Sequence, residues 1–153
     1  FSNNSILMQY NKKKHLELLK SFPNLKEFID SKGTEKCLEL RIYSLLMVSH
    51  FHWENREQYI ELIEKLLNGP IYFEELRERY EAIDTAVKTL EAKLILFEPN
   101  PKSEGFPYLM EDLLSLSEVY CHEPEFCESF EFNEKELKVL IQNILIEMKT
   151  RYP

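Results

Sequence analysis

The stretch FEELRERYEAIDTAVKTLEAKLILF, residues 73–97, decides the fold. Its apolar positions Phe73, Leu76, Tyr80, Ile83, Val87, Leu90, Leu94 and Phe97 follow one another at spacings that alternate strictly between three and four. That period belongs to an α-helix and excludes the two-residue alternation of a half-buried strand. A heptad seam of this kind either lines the inside of an antiparallel bundle or zips two chains together. In a compact chain the bundle interior is the expected place, and a homodimer through this helix is the alternative.

Outward from the seam the same period recurs. Gly69 and Pro70 end a preceding helix whose core face is Tyr59, Leu62, Ile63, Leu66 and Leu67, and Asn55 followed by Gln58 has the spacing of a capping box at its start. Further upstream, Thr34 is the expected N-cap of a strongly apolar helix through His52, with Leu38, Ile42, Leu45 and Ser49 on one stripe and Met47, Val48 and Phe51 widening it. A helix so apolar belongs at the centre. The N-terminal part predicts a helix from about Asn3 to Lys20, interrupted by Pro23, then a turn of helix over Leu25 to Asp30 and a connection at Gly33.

Downstream, Pro99, Pro101 and Gly105 close the seam helix, and Pro107 suits the first turn of the next, whose buried face is Leu109, Met110, Leu113, Leu116, Val119 and Tyr120. Residues Glu123 to Phe132 form a polar and aromatic loop. Asn133 with Glu136 is a second capping box, opening a final helix along Leu137, Leu140, Ile141, Ile144, Leu145 and Met148. The expected fold is all-α: an antiparallel up-and-down helical bundle with additional N-terminal helices, in one domain over residues 1–153.

A net charge of −8 disfavours direct nucleic-acid binding, which needs clustered Lys and Arg, and points instead to a basic protein partner. No apolar run approaches the length of a membrane span, so no membrane association is expected. Cys37, Cys121 and Cys127 are an odd, scattered set that reads as three reduced thiols in a cytoplasmic protein.

The charge is unevenly spread. From Ser103 to Glu134 there is no Lys or Arg, while Glu111, Asp112, Glu118, Glu123, Glu125, Glu128 and Glu131 all fall inside that stretch. Such a surface attracts a cationic partner and accelerates its approach; alternatively it is a solvated helix face followed by an acidic loop. Phe126, Phe130 and Phe132 are interleaved with the acids. Aromatic rings ringed by charge suit an interface, but equally a loop that folds its rings back onto the bundle. The candidate partner-binding set is therefore Glu111, Asp112, Glu118, Glu123, Glu125, Phe126, Glu128 and Glu131.

Chemistry finds less support. His50 and His52 are two apart, so on a helix they point in different directions and cannot chelate as a pair. Cys121, His122 and Cys127 lack a close C-x-x-C pair and a fourth ligand. Cys37 in an apolar helix reads as inert core. With no phosphate loop, nucleophile elbow or zinc motif, no enzyme activity, metal or cofactor is expected.

From Tyr59 onward the chain resembles the colicin D type immunity proteins. The resemblance is carried by Tyr59-Ile-Glu-Leu-Ile-Glu-Lys-Leu-Leu-Asn-Gly69, by Ile71, Phe73 and Tyr80, and by Asn133-Glu-Lys-Glu-Leu137. It implies a small helical bundle over 55–153, with residues 1–54 as an added helical extension, that neutralises a transfer-RNA cleaving nuclease toxin by covering its cationic active site with acidic side chains. The N-terminal part through Glu54 and the Pro-rich connection from Glu98 to Pro107 depart from that pattern. The competing expectations are a non-catalytic accessory subunit or adaptor and, third, a metal-dependent hydrolase.

Overall fold

The computed structural model describes residues 10–94, 97–121 and 123–153. Its regular structure is all-α. In chain order the helices are α1 (Lys12–Ser21), α2 (Leu25–Asp30), α3 (Glu35–Glu54), α4 (Arg56–Asn68), α5 (Glu74–Leu94), α6 (Phe106–Ser115) and α7 (Glu134–Arg151). Among the described residues the only β pairing is one isolated bridge between Tyr120 and Phe132, and no helix is long and apolar enough to cross a membrane.

Local chemistry sets most boundaries. The Asn11, Asn24 and Thr34 side chains each accept a hydrogen bond from the backbone N–H three residues on, opening α1, α2 and α3. Residues 3–9 of the expected first helix lie outside the described residues. At α7 the capping box forms as its spacing predicts: Glu136 N–H donates to Asn133 Oδ1 at 2.9 Å, and Asn133 N–H donates to Glu136 Oε1 at 3.1 Å. The start of α6 depends on Gly105, whose φ of 86° is a left-handed conformation and whose missing Cβ would stand 3.0 Å from the Tyr152 hydroxyl.

The box expected at Asn55 does not form. Asn55 Nδ2 donates instead to the Phe51 carbonyl at 2.8 Å, and Gln58 Nε2 donates to Asn55 Oδ1 at 3.0 Å. With φ −93° and ψ 12° Asn55 stays close to helical geometry, so its side chain finishes α3 rather than starting α4. Arg56 braces the junction, its guanidinium 3.9 Å from the centre of the Trp53 ring.

Helix α3 is central, packed against α1, α4, α5, α6 and the short 3-10 turn at Pro101–Ser103. Its buried face matches the expected stripe only at its C-terminal end, where Ser49 and the neighbouring Met47 are buried. Cys37, Leu40, Tyr43, Met47 and His50 point inward, and Leu38 and Ile42 are exposed. A helix apolar around most of its circumference has no face chosen by its own periodicity, and the neighbouring helices make the choice. Its N-terminal half shares a small cluster with Leu18 of α1, and its C-terminal Trp53 joins the main core. The Glu54/Asn55 boundary thus falls within continuous packing.

The main core is filled by Tyr59 and Ile63 of α4, Leu76 of α5, Phe106, Met110 and Leu113 of α6, and Leu137, Ile141 and Met148 of α7. The first part of the seam is spent on it: Phe73 and Leu76 are buried in it, and Tyr80 and Ile83 pack against its edge, while Val87 is buried outside this cluster. Phe97 is exposed, and the side chains of Leu90 and Leu94 lie outside what is described.

Because Ile141 is fully buried, Ile141→Ala leaves a cavity and should lower stability by about 2–5 kcal/mol. Leu38→Ala, on the exposed face of α3, should change it by about 0.5 kcal/mol or less. Urea unfolding midpoints at a common m-value give both numbers.

Candidate functional site

The acidic segment begins where α6 stops. Ser115 Oγ donates to the Asp112 carbonyl and Ser117 Oγ to the Leu114 carbonyl, both at 2.8 Å, which satisfies the last carbonyls of the helix while the chain tightens into a 3-10 turn over Leu116–Glu118. Arg77 reaches across from α5, donating to the Leu114 carbonyl at 3.3 Å and to Ser117 Oγ at 2.8 Å. A cation at a helix C-terminus is also favourably placed against the helix dipole.

From this anchor the chain leaves and returns as one closed loop. Cys121 N–H donates to the Phe132 carbonyl at 2.9 Å, and Phe132 N–H to the Val119 carbonyl at 2.7 Å. Cys121 and Cys127 are joined by a disulfide bond. This corrects the reading of three reduced thiols, since only Cys37 is free, and it is buried. Spacing alone could not show that backbone pairing at Tyr120 and Phe132 folds the intervening chain into a tight excursion that brings two cysteines six apart into bonding distance.

Val119, Tyr120 and Phe132 pack against the main core, whereas Phe126 and Phe130 are 72% and 64% exposed. The interleaved rings therefore divide, one folded back and two presented outward. Between them a 3-10 turn covers Pro124–Phe126, and Glu128 N–H donates to Glu131 Oε1 at 2.8 Å.

The eight residues expected to meet a partner do not all share this element. Glu123, Glu125, Phe126 and Glu128 are exposed on the loop, with Glu131 half-buried and its carboxylate partly committed to the Glu128 amide. Glu118 is exposed at the stem. Glu111 accepts a hydrogen bond from the Tyr80 hydroxyl at 3.2 Å. Asp112 turns into a groove of about 480 Å³ whose walls include Lys102, Glu147 and Arg151, a surface of mixed charge. Among the described residues none of these carboxylates is in an ion pair; the nearest pair along the chain, Glu134 with Lys138 at 3.3 Å, lies in the first turn of α7.

His50 and His52 are both buried and partnered within the helical frame. His52 is fully buried, with Nδ1 2.7 Å from the Tyr59 hydroxyl and Nε2 3.5 Å from Asp84 Oδ1, and the Tyr80 ring stacks on it at 4.3 Å between centroids. Asp84 is in turn 2.8 Å from Lys88 Nζ. His50 Nδ1 accepts from Asn100 N–H at 3.0 Å, and its Nε2 is 3.2 Å from Glu54. Among the described residues no three His, Cys, Asp or Glu side chains converge as a metal cluster. His122, next to Cys121 in the sequence, lies outside the described residues.

The His52 arrangement escaped sequence reading. It joins residues of three helices, and only the apolar character of α3 hinted that a histidine there would be buried. Comparison with protein-family models, with curated proteins and with solved structures finds no match to this chain.

Burial lowers the pKa of His52 below its ordinary 6.5, against the opposing pull of Asp84. The same burial raises those of Tyr59 and Tyr80, keeping both phenols protonated as donors. A histidine held neutral in the folded chain but free to protonate when unfolded contributes stability that is complete above pH 6.5 and is lost as pH falls below it towards the folded-state pKa. The wild-type urea midpoint should therefore fall more between pH 7.5 and 5.5 than that of His52→Gln, whose side chain does not titrate.

Proposed function

We propose that the chain is a non-catalytic binding protein that docks through the disulfide-tied loop 121–132 onto a protein with a cationic surface. One observation carries this reading: Phe126 and Phe130 stand exposed on the same loop as Glu123, Glu125 and Glu128, which make no ion pair among the described residues, and the base of that loop packs against the core. Exposed phenyl rings supply contact energy once desolvated, and the surrounding carboxylates supply attraction and register. A rigid base lowers the ordering cost of binding.

The resemblance around Tyr59 to Gly69 and at Asn133 to Leu137 favours the cationic cleft of a transfer-RNA cleaving toxin as that surface, with the carboxylates standing where phosphates would. The Cys121–Cys127 bond qualifies this. Disulfides persist where thiols are oxidised, so docking by the closed loop fits an oxidising setting better than the reducing cytoplasm expected from sequence. Glu111 and Asp112, which face Tyr80 and the mixed-charge groove, are left out of the docking set.

A second reading, an accessory subunit of a larger assembly, is favoured by Leu25 and Ile29 on α2 and Leu38 on α3, which are exposed apolar side chains at the other end of the sequence. A stoichiometric multi-subunit complex in native extract would support it.

The docking reading is tested by calorimetry against a panel of isolated transfer-RNA cleaving toxin domains at low salt. For a domain that binds, Glu123→Lys with Glu125→Lys should weaken affinity by tenfold or more, about 1.4 kcal/mol, chiefly through slower association. Phe126→Ala should weaken it by a similar factor through faster dissociation, and Glu57→Lys on the exposed side of α4 should leave it unchanged. Binding indifferent to both loop variants, or absent across the panel, overturns the reading.

A further inference from the structure

We infer that the Cys121–Cys127 bond is a redox latch on loop 121–132, so that two-electron reduction by a dithiol opens the loop while the helical core stays folded. The consequence for partner binding rests on the docking reading above; the opening itself does not.

Among the described residues the loop's restraints are few and unequal. Its two ends are held by the backbone pairing of Cys121 and Val119 with Phe132, and by Val119, Tyr120 and Phe132 against the core. Between those ends, the segment bearing Glu123, Glu125 and Phe126 makes one described backbone hydrogen bond of its own, Phe126 N–H to the Glu123 carbonyl at 2.9 Å. The disulfide spans that segment. Cutting it frees the conformational entropy that the closed ring withholds, and no buried apolar side chain of the core has to move.

The two sulfurs differ in access. Cys121 is buried at the stem and Cys127 is half-buried on the outer side. An external thiolate therefore attacks Cys127 Sγ, the S–S bond breaks, and Cys121 leaves as a thiolate that takes up a proton. The second thiol of the dithiol then attacks the mixed disulfide and releases Cys127. The dithiol becomes a cyclic disulfide, and the protein gains two electrons and two protons. The Glu123 carbonyl lies 3.1 Å from Cys121 Sγ and 3.4 Å from Cys127 Sγ, placed to accept the new thiol hydrogens. The reduced form thus begins with a partner for each thiol.

The surrounding charge also selects the reductant. Glu123, Glu125 and Glu128 are exposed, make no ion pair among the described residues, and lie within a few residues of both sulfurs. They repel the thiolate of glutathione, which carries further carboxylate charge, more strongly than the singly charged thiolate of an otherwise neutral dithiol, and salt screens the difference.

Hydrogen exchange of the full chain, with and without the neutral dithiol dithiothreitol, tests the latch. Reduction should speed exchange of the Phe126 and Glu128 amides at least tenfold and leave those of α3 and α7 unchanged. Cys121→Ser with Cys127→Ser should reproduce the fast exchange without reductant, and Glu125→Lys should speed thiol release by glutathione several-fold at low salt. Equal loop exchange in both redox states overturns the proposal, as does loss of protection throughout α3 and α7. If the loop opens but both states bind a toxin domain equally, control of docking fails and the docking reading survives. If neither state binds but exchange differs as expected, the docking reading fails and the latch stands.

Discussion

His52 occupies the junction of α3, α4 and α5 with no exposure to solvent, and an imidazole in that position is tolerated only because the structure answers both ring nitrogens. A buried polar atom left without a partner costs about 1–3 kcal/mol, a sizeable share of the stability of a small domain. The Tyr59 hydroxyl and the Asp84 carboxylate meet that cost from two different helices, and the Tyr80 ring covers the face of the imidazole. One side chain therefore fixes where α4 and α5 lie against the central helix. Tyr80 carries the constraint onward through its bond to Glu111 on α6.

Once α5 is placed, Arg77 reaches the end of α6 and holds the Leu114 carbonyl and the Ser117 hydroxyl. That anchor sets where the chain leaves the core. The return at Phe132 and the capping box at Asn133 set where it comes back. The acidic loop is thus an outgrowth of a packed frame, and its exposed phenyl rings and carboxylates stand on a base held by Val119, Tyr120 and Phe132.

Electrostatics and covalent closure act on this loop together. Concentrating carboxylates with no compensating Lys or Arg in the same stretch works against compactness through repulsion. A crosslink across six residues offsets that tendency by limiting how far the segment can spread. In the docking and the latch proposed for this loop, the charge that would attract a cationic surface would also slow attack by anionic thiols, so both proposals rest on one set of side chains.

The alternation of three and four from Phe73 to Val87, the stop at Gly69 and Pro70, and the caps at Thr34 and Asn133 were legible in the chain, because each depends on spacing and on bonds between near neighbours. The all-α class follows from them, and so does the acid-rich, base-free character of residues 103–134. Which face of α3 turns inward was not legible, since apolar residues cover most of its circumference and the choice between Leu38 and Leu40 belongs to the packing of α1 and α2 against it. Asn55 shows the same limit at short range: the capping spacing is present, but near-helical backbone at the α3 junction turns its side chain to another use. The disulfide joins cysteines only six apart but needs the chain to turn back between Tyr120 and Phe132, the division of Phe126 and Phe130 from Phe132 depends on where that turn meets the core, and Asp84 reaches His52 from 32 residues away. Such contacts exist only when the helices are packed, so tertiary structure alone decided them.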